Sequence, residues 1–153
     1  MSAHEAVVMN GNLAQFGDDL RPYLLRLQVS LDNLSELFSR RVRQTEAQLA
    51  TRMAEMQRSA RETADRATKL RASLQAALEH DAGISQERMA SWIVKRQTAR
   101  LHARADHLEQ TAVLAAELAA LTTVEAERIT MAAVNARQQA IALQIERDAG
   151  SAV

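Results

Sequence analysis

The chain has 153 residues, with four glycines, one proline, 3% aromatic and 25% charged residues; this is the composition of long helices, and its length points to a single domain. Nineteen basic side chains balance nineteen acidic ones, so no global charge points to nucleic acid, an anionic membrane or an acidic substrate. With no cysteine, disulfides and thiolate metal or redox chemistry are excluded.

No window alternates apolar and polar residues between turn signals, as strands would require. The opening "MSAHEAVVMN" lacks the basic region and apolar run of a signal peptide. The richest later run, "TAVLAAELAAL", is short and contains Glu117, so no transmembrane segment is expected and the chain reads as soluble and cytoplasmic.

Residues 1–17 read as a short helical or flexible segment. Ser2 and Glu5 have capping-box spacing, Asn10-Gly11 is a turn signal, and Gly17 with Asp18 and Asp19 marks a boundary. Pro22 fits the first turn of a helix capped by Asp18 or Asp19. From about 20 to 80 nothing interrupts. Leu20, Leu24, Leu27, Leu31, Leu34 and Phe38 step by four and three, as a coiled-coil seam does. An eleven-residue spacing then carries the stripe from Leu34 through Val42 and Thr45 to Leu49, Met53 and Met56, before heptads resume through Leu70 and Leu74.

The stretch "LEHDAGISQER" holds the one glycine between Gly17 and Gly150. It predicts a turn over 81–85, in which Gly83 takes the left-handed conformation that closes the first arm and Ser85 caps the second. A connection this short makes the arms antiparallel neighbours. The second arm runs over 86–148, followed by a tail at 150–153. A turn near residue 82 pairs positions whose numbers add up to about 165, which sets 20–45 beside 120–145.

Along the second arm Ala112, Ala115, Ala119, Thr122, Ala126, Ile129, Ala133 and Ala136 keep heptad steps with mostly small side chains and are expected to form the inner seam. Beside them runs a second apolar row, Leu114, Leu118, Leu121 and Val124. The first arm matches it with Leu25, Val29 and Leu37, off its main seam. That width exceeds what two helices cover. These seven residues are therefore expected to form a homo-oligomer interface, a dimer with a four-helix section; cover by residues 3–16 is the other option.

Charge is uneven along the hairpin. Residues 61–104 carry nine basic and five acidic side chains, and residues 105–149 three and seven. Lys95, Arg96, Arg100 and Arg104 make a basic stripe near the turn, suited to a protein partner with an acidic surface; the plainer reading is a solvated face paired with Glu62 and Asp65. Nucleic acid has little support, since Trp92 is the one aromatic near the stripe. Trp92 could serve as a partner hot spot, but a bulky residue locking the hairpin near its turn is the simpler account. Met53, Met56, Met89 and Met131 read as core fill.

His102, Asp106 and His107 give two ligands on one helix face and no complete metal shell. No phosphate loop, nucleophile elbow or histidine–serine arrangement is present, and a thin hairpin offers no pocket to separate carboxylate pKa values, so neither catalysis nor a cofactor is expected.

The expectation is thus an all-α protein, a long antiparallel helical hairpin that assembles into a four-helix or larger bundle. Its role would be that of a non-enzymatic structural or adaptor component presenting a basic tip. In length and layout it is similar to the stalk proteins of flagellar and type III secretion export. That similarity of shape implies a place at an export ATPase and carries over no functional residue. A phasin-like helical coat on an apolar surface, or a phosphate or nucleic-acid binder using the stripe at 88–104, are the alternatives.

Overall fold

Four helices follow one another along the chain: α1 (Ala3–Leu37), α2 (Glu46–Ala82), α3 (Gln86–Val94) and α4 (Thr98–Ser151). The computed structural model describes residues 3–39 and 46–151, and the side chains of 13–39 and 47–151. Among them there is no strand, and no helix is long and apolar enough to cross a membrane.

The spine is α4, 54 residues and about 80 Å at the helical rise of ~1.5 Å per residue. Both α1 and α2 pack on it without approaching each other closely. Its buried residues explain this. Thr111 and Ala120 are nine residues apart, two and a half turns, so they face opposite ways, and both are buried. A helix covered on two sides needs apolar or small residues on both, which is why α4 has no single amphipathic face.

α2 lies antiparallel to α4. Arg66 donates to Glu117, Arg128 to Gln57, Arg104 to Asp81 and His107 to the Ala77 carbonyl, at distances of 2.9 to 3.3 Å. These pairs add up to about 184 rather than 165, a register shift of about nineteen residues. The cause is α3, nine residues inserted at the corner, which moves the fold-back point well past Gly83. α1 runs parallel to α4. Gln15, Phe16 and Asp19 line one cavity with Asp106 to Leu114, and Leu25 to Asn33 line another with Val124 and Glu127.

Several sequence expectations are corrected by this arrangement. The boundary at residue 17 is absent, because α1 continues through Gly17 and Pro22. Half-buried Phe16, Leu20 and Tyr23 hold that stretch, and tertiary packing outweighs the cost of about 1 kcal/mol for a helical glycine. Pro22 and Asp18 are both exposed, so water can replace the bond that the proline cannot donate. The first arm is two helices instead of one. α1 ends at Leu37, with Phe38 and Ser39 donating to the carbonyls of Ser35 and Glu36, and α2 begins at Glu46. Val42 and Thr45, placed on a continuous seam, lie outside the described residues. The eleven-residue spacing coincides with this break, where folding back lets both halves of the stripe reach α4.

The expected alanine seam is also overturned. Ala115, Ala119, Thr122, Ala126, Ile129, Ala133 and Ala136 are exposed, while Leu114, Leu118, Leu121 and Val124 are half-buried within the chain. Leucine rows bury far more apolar area than alanine rows, so they take the contacts.

One group of buried residues lies where α1 and α2 flank the same stretch of α4. Ser30, Leu49, Glu127 and Met131 are buried there. Arg52 forms an ion pair with Glu127, a carboxylate only 3% exposed. Beyond this point no described helix packs on α4: residues 136–151 are all exposed, and the register places the start of α2 opposite about residue 138.

Candidate functional site

The corner joining α2 to α4 gathers the turn residues and the basic stripe that the sequence marks as functional. Ala82 ends α2, and the amides of Gly83 and Ile84 donate to Glu79 and Asp81. Gly83 does not adopt a left-handed conformation; a Cβ there would sit 3.3 Å from the His80 carbonyl oxygen. Its contribution is a tight approach of backbone to backbone. Ser85 caps α3 as expected, its hydroxyl accepting from the Arg88 amide at 3.1 Å.

The left-handed position lies thirteen residues later. Arg96 has φ 51°, and it is the one non-glycine residue with positive φ among those described. Around it Arg96 donates to the Ile93 carbonyl at 3.1 Å and Gln97 to the Trp92 carbonyl at 2.8 Å. This bond pair is the Schellman closure of α3, with Arg96 at the position where glycine is usual. α4 then starts at Thr98.

The corner is built around Trp92, which is buried. The guanidinium groups of Arg88 and Arg100 lie 5.7 and 5.8 Å from its ring centroid, within cation–π range. Arg104 donates to both carboxylate oxygens of Asp81, at 3.1 and 3.5 Å. The His107 ring stacks at an angle on His80, centroids 4.6 Å apart, and its Nε2 donates to the Ala77 carbonyl.

The basic stripe therefore divides. Arg100 and Arg104 share a face of α4, whereas Lys95 and Arg96 sit on the bend before it and are exposed. The partner of Arg104 is Asp81, not Glu62 or Asp65, because the register shift carries those two carboxylates away from the corner. Arg88, Lys95, Arg96 and Arg100 form no ion pair among the described residues. Ile93 and Val94 are exposed beside them, Val94 by 81%.

Farther along α4, Arg66 clasps Glu117 through two hydrogen bonds, which raise the guanidinium pKa still further. The Arg128 side chain bonds to Glu125 and holds that carboxyl below the usual carboxylate range, against a smaller opposing effect of burial. These pairs fasten α2 to α4 and stiffen α4 itself. Among the described residues no three His, Asp or Glu side chains gather as a metal ion would require.

The seven residues expected at an oligomer interface are separated. Leu25 and Val29 are exposed along the groove between α1 and α2, and Leu37 is half-buried. Leu114 and Val124 border cavities shared with α1, while Leu118 and Leu121 are half-buried. Sequence reasoning missed a different row on α1: Leu13, Leu24, Leu31 and Phe38, each more than half exposed. The seam spacing did contain three of them; what it could not tell was that α4 covers the stripe from one edge. No family model, curated protein or solved structure matches this chain.

Proposed function

We propose that this protein is a non-enzymatic structural or adaptor component of the cytoplasm, a rigid helical spacer that self-associates along α1 and presents its basic corner to a partner with an acidic surface. The observation that carries the reading is the half-covered stripe of α1. Leu20, Leu27 and Leu34 are half-buried, while Leu13, Leu24, Leu31 and Phe38 on the adjoining edge face water. Leu24, Leu31 and Phe38 keep the seven-residue step of a helix-packing surface, and leaving such a row in water is costly.

A second copy of the chain would complete a helical bundle across this row. Light scattering should give at least twice the chain mass at micromolar concentration. Leu24→Glu with Leu31→Glu should return it to the monomer mass with helicity unchanged, because both side chains are already exposed. A wild-type monomer at high micromolar concentration would refute self-association. A helical coat on an apolar surface is the second reading, favoured by the same row. It predicts a monomer in buffer that binds oil or polymer droplets, with Leu24→Glu and Leu31→Glu abolishing that binding.

A further inference from the structure

We infer that the bend between α3 and α4 is a preformed docking pad for an acidic protein segment with an apolar centre. Val94 and Ile93 are its anchors, Lys95 and Arg96 next to them meet carboxylates, and Arg88 and Arg100 add positive charge from the Trp92 side of the corner. The inference rests on the adaptor reading only in requiring a partner; it does not require self-association.

Three observations carry it. Among the described residues Val94 is the most exposed of the large apolar side chains, and Ile93 beside it is 63% exposed. They cap a bend whose residues 83–100 hold four cations against one carboxylate, Glu87. An apolar centre within a polar, charged rim is the anatomy of a protein interface.

The second observation is Arg96. The Schellman position it occupies admits glycine without strain and disfavours a bulky residue. Strain at a single residue of an otherwise regular fold is a mark of use, and here the use is to hold one more cation at the apex.

The third is placement. The guanidinium groups of Arg88 and Arg100 lie over buried Trp92, which favours those positions before any partner arrives and reduces the side-chain entropy lost on binding. Cations placed in this way match carboxylates that are themselves held in place, as on a folded or folding protein segment. Mobile lipid headgroups would be met equally well by mobile lysines. Stacking on bases would need exposed aromatics, and Trp92 is buried.

The test selects random dodecapeptides, displayed on phage, against the immobilised full chain. Recovered sequences should carry Asp or Glu on both sides of a Leu, Ile or Phe. They should bind at least about tenfold more weakly to Val94→Asp and to Arg96→Gly. Arg96→Gly relieves the strain, so its melting temperature should hold or rise while binding falls; a merely structural arginine would not give that combination. Peptides without acidic enrichment, or equal affinity for wild type and both variants, would overturn the inference. So would phosphatidylglycerol vesicles that bind wild type and lose the variants, which would make the pad a lipid site. The selection is repeated on Leu24→Glu with Leu31→Glu, where peptide binding should persist. Peptide binding by a wild type that scatters as a monomer would sink the self-association reading and leave the pad standing.

Discussion

Replacing Arg52 by alanine removes the ion-pair partner of the Glu127 carboxylate, which is 3% exposed in the intact chain. Removing one member of a buried ion pair costs roughly 3–5 kcal/mol, most of it the penalty of stranding the other charge. The side chain of Arg52 is 31% exposed, so water can partly take its place, and the lower end, about 3 kcal/mol, applies. For a chain of this size each kcal/mol moves the midpoint by about 2–4 °C, which gives a fall of about 6–12 °C. Circular dichroism at 222 nm during thermal and urea unfolding reads it. Arg52→Met combined with Glu127→Met removes both charges and keeps the volume, and should lie within about 1 kcal/mol of wild type. The reasoning fails if Arg52→Ala shifts the midpoint by less than about 2 °C, or if the two single substitutions simply add.

Trp92→Ala removes the body of the corner and should cost about 3 kcal/mol in urea unfolding, freeing Arg88 and Arg100; an unchanged midpoint would mean that the corner is held by something else. Deleting residues 138–151, the exposed end of α4, should leave the melting temperature within about 2 °C, since α1 and α2 do not cover it. Glu125→Gln should destabilise by no more than about 1 kcal/mol at neutral pH. The Glu125 carboxyl titrates below its unfolded value, so its contribution is present above that value and lost as pH falls through the folded one. Wild type and Glu125→Gln should therefore converge in stability in acid, and a gap that widens there would contradict the pairing with Arg128.

The helices themselves were legible in the sequence because breakers are scarce and apolar spacing is long-range; the Ser85 cap and the antiparallel pairing of α2 with α4 followed from local turn chemistry. The break after Leu37 was not, because residues 38–45 contain neither glycine nor proline. Its signal was subtler: Arg40, Arg41 and Arg43 follow the last seam leucine, and cations gather favourably at helix C-termini. The register was lost with α3, since nothing local to Gly83 says that the chain travels another nine helical residues before turning back. At the corner, composition pointed to glycine for the left-handed residue, while the structure puts Arg96 there. The alanine seam misled because heptad spacing records periodicity and not area. On α4, where two faces are covered, the rows with the larger side chains decide which way the helix turns.

The proposed assembly surface depends on α1 lying parallel to α4 with its outer edge uncovered. Spin labels placed on cysteines introduced at exposed Gln15, Gln110 and Gln144 report this directly, since the native chain has no cysteine to label. In a dilute mixture with unlabelled protein, pulsed dipolar spectroscopy should give a separation under about 25 Å for 15 with 110. It should give about 50 Å for 15 with 144, the rise of the intervening helix. A short distance to 144 and a long one to 110 would mean that α1 runs antiparallel to α4, and would contradict the arrangement from which the assembly row follows.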